Sequence, residues 1–145
     1  MTNSQYIDAY KKTQQSSNAV TTSHEIVRTL MKELVNSMQK IVLDIQDERK
    51  RKQDNHTVDK VFEEKNARHK SKNLSKALSI IYGLQTSLDF DKALEIANNL
   101  FQLYEYCRHE IIRGFSQKIE DGIIRAIDII KQIMEGWEEI PSLDK

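Results

Sequence analysis

Four histidines and one cysteine supply the metal-ligating and nucleophilic character of this chain outside its carboxylates. Their spacing supports little chemistry. Carboxylate-bridged metal bundles need Glu-x-x-His on facing helices, and that spacing is absent. His56 and His69 fall in a charged stretch, and His24 stands at the start of an apolar-periodic one. His109 follows Glu105 by one helical turn, which reads as a surface ion pair. There is no H-E-x-x-H, no P-loop and no G-x-G-x-x-G. Cys107 falls on an apolar helical face and reads as a small core residue. The run Glu48-Arg49-Lys50-Arg51-Lys52 reads as a solvated helix end, with positive charge near the last carbonyls. Neither enzyme chemistry, nor a metal, nor a cofactor is expected.

Composition narrows the remaining classes. The 145 residues carry 22 basic and 22 acidic side chains, a formal net charge of zero. A general binder of nucleic acid or of an anionic membrane needs a basic surplus, so neither is expected beyond peripheral membrane contact. At 39% hydrophobic and 30% charged, the chain has enough apolar material for a core. A single cysteine excludes an internal disulfide framework. No 18-residue apolar run suggests a membrane span. The first residues, MTNSQYIDAYKK, lack the apolar centre of a signal peptide. The expectation is one domain over 1–145 in the cytoplasm.

The elements that would position these residues are helices. There is one proline, Pro141, and only four glycines, too few for the turns of a sheet protein. Apolar residues recur at spacings of three and four. One segment runs from about Ser23 to Arg49, and Thr22 and Glu25 have the capping-box spacing at its start. Others run from about Leu74 to Leu88, Asp91 to Arg113 and Gln117 to Glu139. Asp89 or Asp91 is placed to cap the third. Four helices with short joins predict an all-α fold, an antiparallel four-helix bundle with a short N-terminal arm or helix. Residues 1–21 read as that arm and a polar linker. Residues 46–73 are charged, with Val58, Val61 and Phe62 as their only apolar cluster.

Wheel arithmetic raises two questions. With Leu74 at zero and 100° per residue, Ala77, Leu78, Ile81 and Leu88 fall within about 60° of it, whereas Val58 and Val61 fall about 140–160° away. Either the helix breaks near 63–72, or the 57–62 turn packs elsewhere, or it overhangs into solvent. The third segment has an apolar arc of about 180°, where one packed face needs little more than 100°. Ile96 and Leu103 mark one flank; Leu94, Phe101 and Ile112 mark the other. The first segment is similarly broad. Such arcs serve two bundle neighbours, or leave a groove for an amphipathic partner.

Two stretches carry a more specific signal. Tyr6-Ile7-Asp8-Ala9-Tyr10 precedes a polar linker and the helix opening Ser23-His24-Glu25-Ile26. Further on, Ser87-Leu88-Asp89 is followed by Ile96-Ala97-Asn98-Asn99-Leu100-Phe101-x-Leu103-Tyr104-x-Tyr106, and Trp137-Glu138-Glu139-Ile140 closes the chain. In order and spacing this resembles the FliS family of flagellar export chaperones. The segment joining the first two helices is longer than that family usually has, so the resemblance implies that 46–73 is an insertion.

The resemblance implies a cytoplasmic, cofactor-free helical bundle that binds the disordered C-terminal region of flagellin. It implies that subunits are thereby kept monomeric for type III export, with docking at a membrane export gate component. The tyrosine-bearing arm lies near the client site in the family, so Tyr6, Ile7 and Tyr10 are candidates for a movable cap, or else a fixed staple on the bundle end. Leu94, Phe101, Leu103 and Ile112 are groove candidates, with core as the competing reading. Exchange of the arm between two copies would give a homodimer. The alternative function is an adaptor that binds some other amphipathic helix.

Overall fold

A computed structural model describes residues 20–55 and 59–139. Among them are four helices and no strand: α1 (Val20–Asn55), α2 (Lys60–Thr86), α3 (Leu94–Gln117) and α4 (Asp121–Glu139). α1 packs on α2 and α4, and α3 packs on the other side of the same pair. The helices therefore form a ring in which each has two main neighbours, as expected for an antiparallel bundle.

The core is the sum of the inward stripes. Met31, Leu34, Met38, Ile41 and Ile45 of α1 meet Ile80, Ile81 and Leu84 of α2, with Ile111 of α3 and Ile123 and Ile130 of α4. The broad apolar arc of α1 is consumed by its two neighbours. Val35 and Val42, at its edge, are both 8% exposed. Cys107 fills the core as expected, and burial pushes its thiol up to about 12, far from a usable thiolate.

Several boundaries differ from the sequence reading. α1 is already helical at Val20, so Thr22 lies inside the first turns instead of ahead of them. α3 runs on through Gly114 to Gln117, then turns at Lys118, whose φ is 58°. Gly114 is needed there: a Cβ would lie 2.7 Å from the Ile119 carbonyl and from the Ile123 side chain. Asp89 caps the turn ahead of α3, accepting from the amides of Asp91 and Lys92, each at 3.0 Å. α3 itself starts after Ala93 with no side-chain cap.

α2 does not break near 63–72. α1 continues to Asn55 and α2 is unbroken from Lys60. The seam between them simply changes from apolar to polar. Asn66, Lys70 and Asn73 are buried on α2, and on a 100° wheel they share an arc of about 60° with Ala77 and Leu84. The Asn66 amide donates to the Asp44 carbonyl at 3.1 Å, and His69 pairs with the Asp44 carboxylate. Val61 overhangs, 59% exposed, while Phe62 is half-buried under the Arg51 guanidinium, 3.9 Å from the ring centre. Val58 lies outside the described residues.

Where the hairpin leaves the bundle, Glu48 gathers cations from three elements. Lys70 Nζ lies 2.9 Å from its Oε2, and Lys118 Nζ 2.9 Å from its Oε1. Lys52 adds a contact at 3.3 Å. Alongside, Arg49 forks onto Glu120 through bonds of 3.0 and 2.9 Å. The basic run is thus not a free helix end; part of it ties α1 to the α3–α4 turn. Burial alone would raise the Glu48 carboxyl, but hydrogen bonds from Lys118 and Lys70 outweigh it and hold it at about 2, against an ordinary 4.5. At the opposite end, His24 and Trp137 stack at 4.8 Å and exchange ring-to-carbonyl hydrogen bonds of 2.8 and 3.0 Å.

Glu48→Ala leaves the Lys70 ammonium buried without its carboxylate and should cost about 3 kcal/mol in urea unfolding at neutral pH. Glu48→Leu combined with Lys70→Leu should recover most of that loss; a double variant as unstable as the single one would contradict this account. Because its folded pKa is depressed, the stability from Glu48 is present above pH 4.5 and is lost as pH falls towards 2. Glu48→Gln should flatten that acid limb.

Candidate functional site

α3 carries more apolar surface than its two neighbours cover. Ala97, Tyr104, Cys107 and Ile111 form its buried centre. On one flank, Ile96 is 63% exposed, and Leu103 and Tyr106 are each 38% exposed. Ile96, Asn99, Leu103 and Tyr106 follow steps of three, four and three, so they lie along one line of the helix. α4 brings Ile129 beside them. Asn99, Gln102, Leu103, Tyr106 and Ile129 line an open, mostly apolar groove of about 560 Å³.

The opposite flank faces α2 and is better sealed. Phe101 is half-buried with its ring edge-on to Phe90, centroids 6.3 Å apart. Gln85 of α2 donates to Glu105 at 2.9 Å and to the Phe101 carbonyl at 3.5 Å. Glu105 also accepts from Arg108, at 3.0 and 2.9 Å. The Arg108 and Gln85 hydrogen bonds hold the Glu105 carboxyl at about 2. His109 joins the cluster 3.7 Å from Glu105, the surface pair its spacing suggested.

The four described groove candidates therefore do not form one site. Leu103 lines the α3–α4 groove. Leu94, Phe101 and Ile112 lie on the other flank: Leu94 is 61% exposed, and Phe101 and Ile112 are half-buried. Tyr6, Ile7 and Tyr10 lie outside the described residues. The sequence reading missed Tyr106, Asn99, Gln102 and Ile129 as groove residues. Tyr106 was within reach, since it continues the Ile96–Leu103 line. Ile129 was not, because only packing brings α4 alongside.

A second cavity, of about 150 Å³, is lined by Ile45, Glu48, Arg49, Lys52 and Lys118. Its charges are matched within the cluster, and it serves the hairpin junction. Among the described residues, no group of three or more His, Cys, Asp or Glu is placed to hold a metal ion. No helix there is long and apolar enough to cross a membrane. The groove offers a non-covalent surface: an apolar floor, amide and phenol walls and open ends, the form that accepts an amphipathic helix.

Comparison with known proteins gives a consistent picture. A family model described as "Flagellar protein FliS" matches residues 6–143. The flagellar secretion chaperone FliS of Vibrio cholerae is 33% identical over 72 residues, 50% of this chain and 53% of that protein. The flagellar secretion chaperone FliS of Salmonella typhimurium is 35% identical over 72 residues, 49% of this chain and 53% of that protein. The flagellar secretion chaperone FliSB of Pseudomonas aeruginosa is 28% identical over 67 residues, 46% and 53% of the two chains. The chain thus spans about half the length of the curated relatives it matches. No solved structure matches.

Leu103→Lys and Ile96→Lys should each change unfolding free energy by less than about 0.5 kcal/mol, as exposed sites do. Ile111→Ala, in the buried centre of the same helix, should cost about 2–5 kcal/mol. A loss above about 2 kcal/mol at Leu103 would make it core and remove the groove.

Proposed function

The chain belongs to the FliS family of flagellar proteins, and on that premise we propose that it is a cytoplasmic, non-catalytic chaperone for flagellin. Its client is the disordered C-terminal region of flagellin, which it holds as an amphipathic helix. Holding that region keeps subunits monomeric and ready for type III export, with delivery to an export gate component at the membrane.

The observation that carries this reading is the uncovered flank of α3. Leu103 and Tyr106, with Ile129 of α4, keep apolar surface open on a bundle whose core is otherwise filled. A disordered segment must offset its ordering entropy through area, typically about 1,000–3,000 Å². The line from Ile96 to Tyr106 is about 15 Å long and matches roughly ten residues of helix. One groove of that length is too small. The client therefore also covers the start of the other flank, ahead of the part that Gln85 closes, where Leu94 and Phe90 stand 61% and 38% exposed. Tyr6, Ile7 and Tyr10 act as a movable cap over part of this surface when no client is bound. An amphipathic ring suits a position that is alternately wet and covered.

Purified chain and its cognate flagellin should form a soluble stoichiometric complex by light scattering, and the complex should be lost when the flagellin C-terminal segment is removed. Undiminished binding to the truncated flagellin would refute the proposal. Deleting residues 1–12 should leave helical content nearly unchanged while shifting client affinity. A collapse of thermal stability would make the arm part of the core and end the cap assignment.

A further inference from the structure

Arg125 stands at the end of the α3–α4 groove with poor partners. It lies one turn before Ile129 on α4, and Ile129 lines the groove. Its Nε donates to the Tyr106 hydroxyl across exposed surface at 3.4 Å, a long bond. Its Nη2 lies 3.9 Å from Glu110 Oε2. That oxygen is already taken by Arg113, whose Nη2 and Nε donate at 2.7 and 3.2 Å. Asp121, one turn earlier on α4, acts on Arg125 only as a nearby charge. The Arg125 side chain is 53% exposed. A guanidinium presents five donors in a rigid fork, and its best partner is a carboxylate met side-on through two parallel bonds. The contrast within this protein is plain: Arg49 has that arrangement with Glu120, at 2.9 and 3.0 Å, and Arg125 does not.

We propose that Arg125 sets the register of the client helix by taking an aspartate or glutamate of the flagellin C-terminal segment bidentately. This rests on the groove being the client surface. The apolar side chains of the helix lie on Leu103, Tyr106 and Ile129. Its carboxylate falls about one turn along, where Arg125 turns from Tyr106 to meet it. The apolar floor alone discriminates weakly between helices of similar greasiness and between registers one turn apart. A single charge at the groove mouth separates them, because a misregistered helix leaves its carboxylate unpaired or brings a like charge against the guanidinium.

The test is a titration of the full chain with monomeric cognate flagellin, at low salt and at 1 M salt. Circular dichroism establishes that each variant is folded, as expected for an exposed position. Arg125→Glu should weaken binding about tenfold or more at low salt, and Arg125→Gln by a smaller factor. The gap between these variants and the wild type should shrink at 1 M salt, where the screening length is about 3 Å. Arg125→Lys should recover only part of the affinity, because it keeps the charge and loses the fork. A scan changing each flagellin C-terminal Asp and Glu to Lys should find one position that restores binding to Arg125→Glu. If Arg125→Glu binds within twofold of the wild type while Leu103→Asp abolishes binding, the register assignment is wrong and the groove stands. If Leu103→Asp also binds as the wild type does, the groove is not the client surface, and the register assignment falls with it.

Discussion

A ring of four helices gives each helix two neighbours, and α3 carries more apolar arc than two neighbours can cover. The rest of the structure follows from that mismatch. α1 has an arc almost as broad, yet it sits between α2 and α4 along its inner length and hides nearly all of it. On α3 the centre is buried at Ala97, Tyr104, Cys107 and Ile111, while its flanks run into solvent on one side and towards α2 on the other. Exposed apolar surface on a bundle carries a solubility risk, and its persistence along one helical line is the feature on which the proposed client binding rests.

The bundle that carries this surface is fastened at its two ends by different means. At one end His24 and Trp137 clasp the start of α1 to the end of α4 through stacked rings and paired hydrogen bonds. At the other, Glu48 and Glu120 collect cations from α1, α2 and the α3–α4 turn. The second fastening has a geometric consequence. α1 is 36 residues long and α4 only 19, so the α1–α2 hairpin projects past the turn, with Arg51 laid over Phe62 on its exposed part. The polar seam of Asn66, Lys70 and Asn73 carries the hairpin outward without extending the greasy core, so the projection remains well solvated.

The all-α class, the four elements and their antiparallel order were legible in the apolar period, because core-facing positions of amphipathic helices repeat every three to four residues whatever they pack against. The 46–73 stretch was not. Its buried positions are Glu48, Asn66, Lys70 and Asn73, residue types that normally signal solvent; Asn66 reaches Asp44 and Lys70 reaches Glu48, each 22 residues away in sequence. Counting only apolar side chains made a continuous seam look like a phase break. The wheel for α3 placed Leu103 and Phe101 on opposite flanks. It did not say that Phe90 and Gln85 would close over Phe101 while Leu103 stayed open. Which flank is covered is set by the neighbouring helix, and a single helix does not contain that fact.

In the proposed complex the client lies on α3, with α4 beside one flank and the Phe90–Leu94 end of the other, while α1 and the projecting hairpin stay uncovered. Amide hydrogen exchange, followed by mass spectrometry on the chain alone and saturated with cognate flagellin, addresses that placement most directly. Slowed exchange is expected to concentrate over residues 94–106 of α3 and 124–133 of α4, with the centre of α1 unchanged. Protection confined to 46–73, or none on α3, would contradict it.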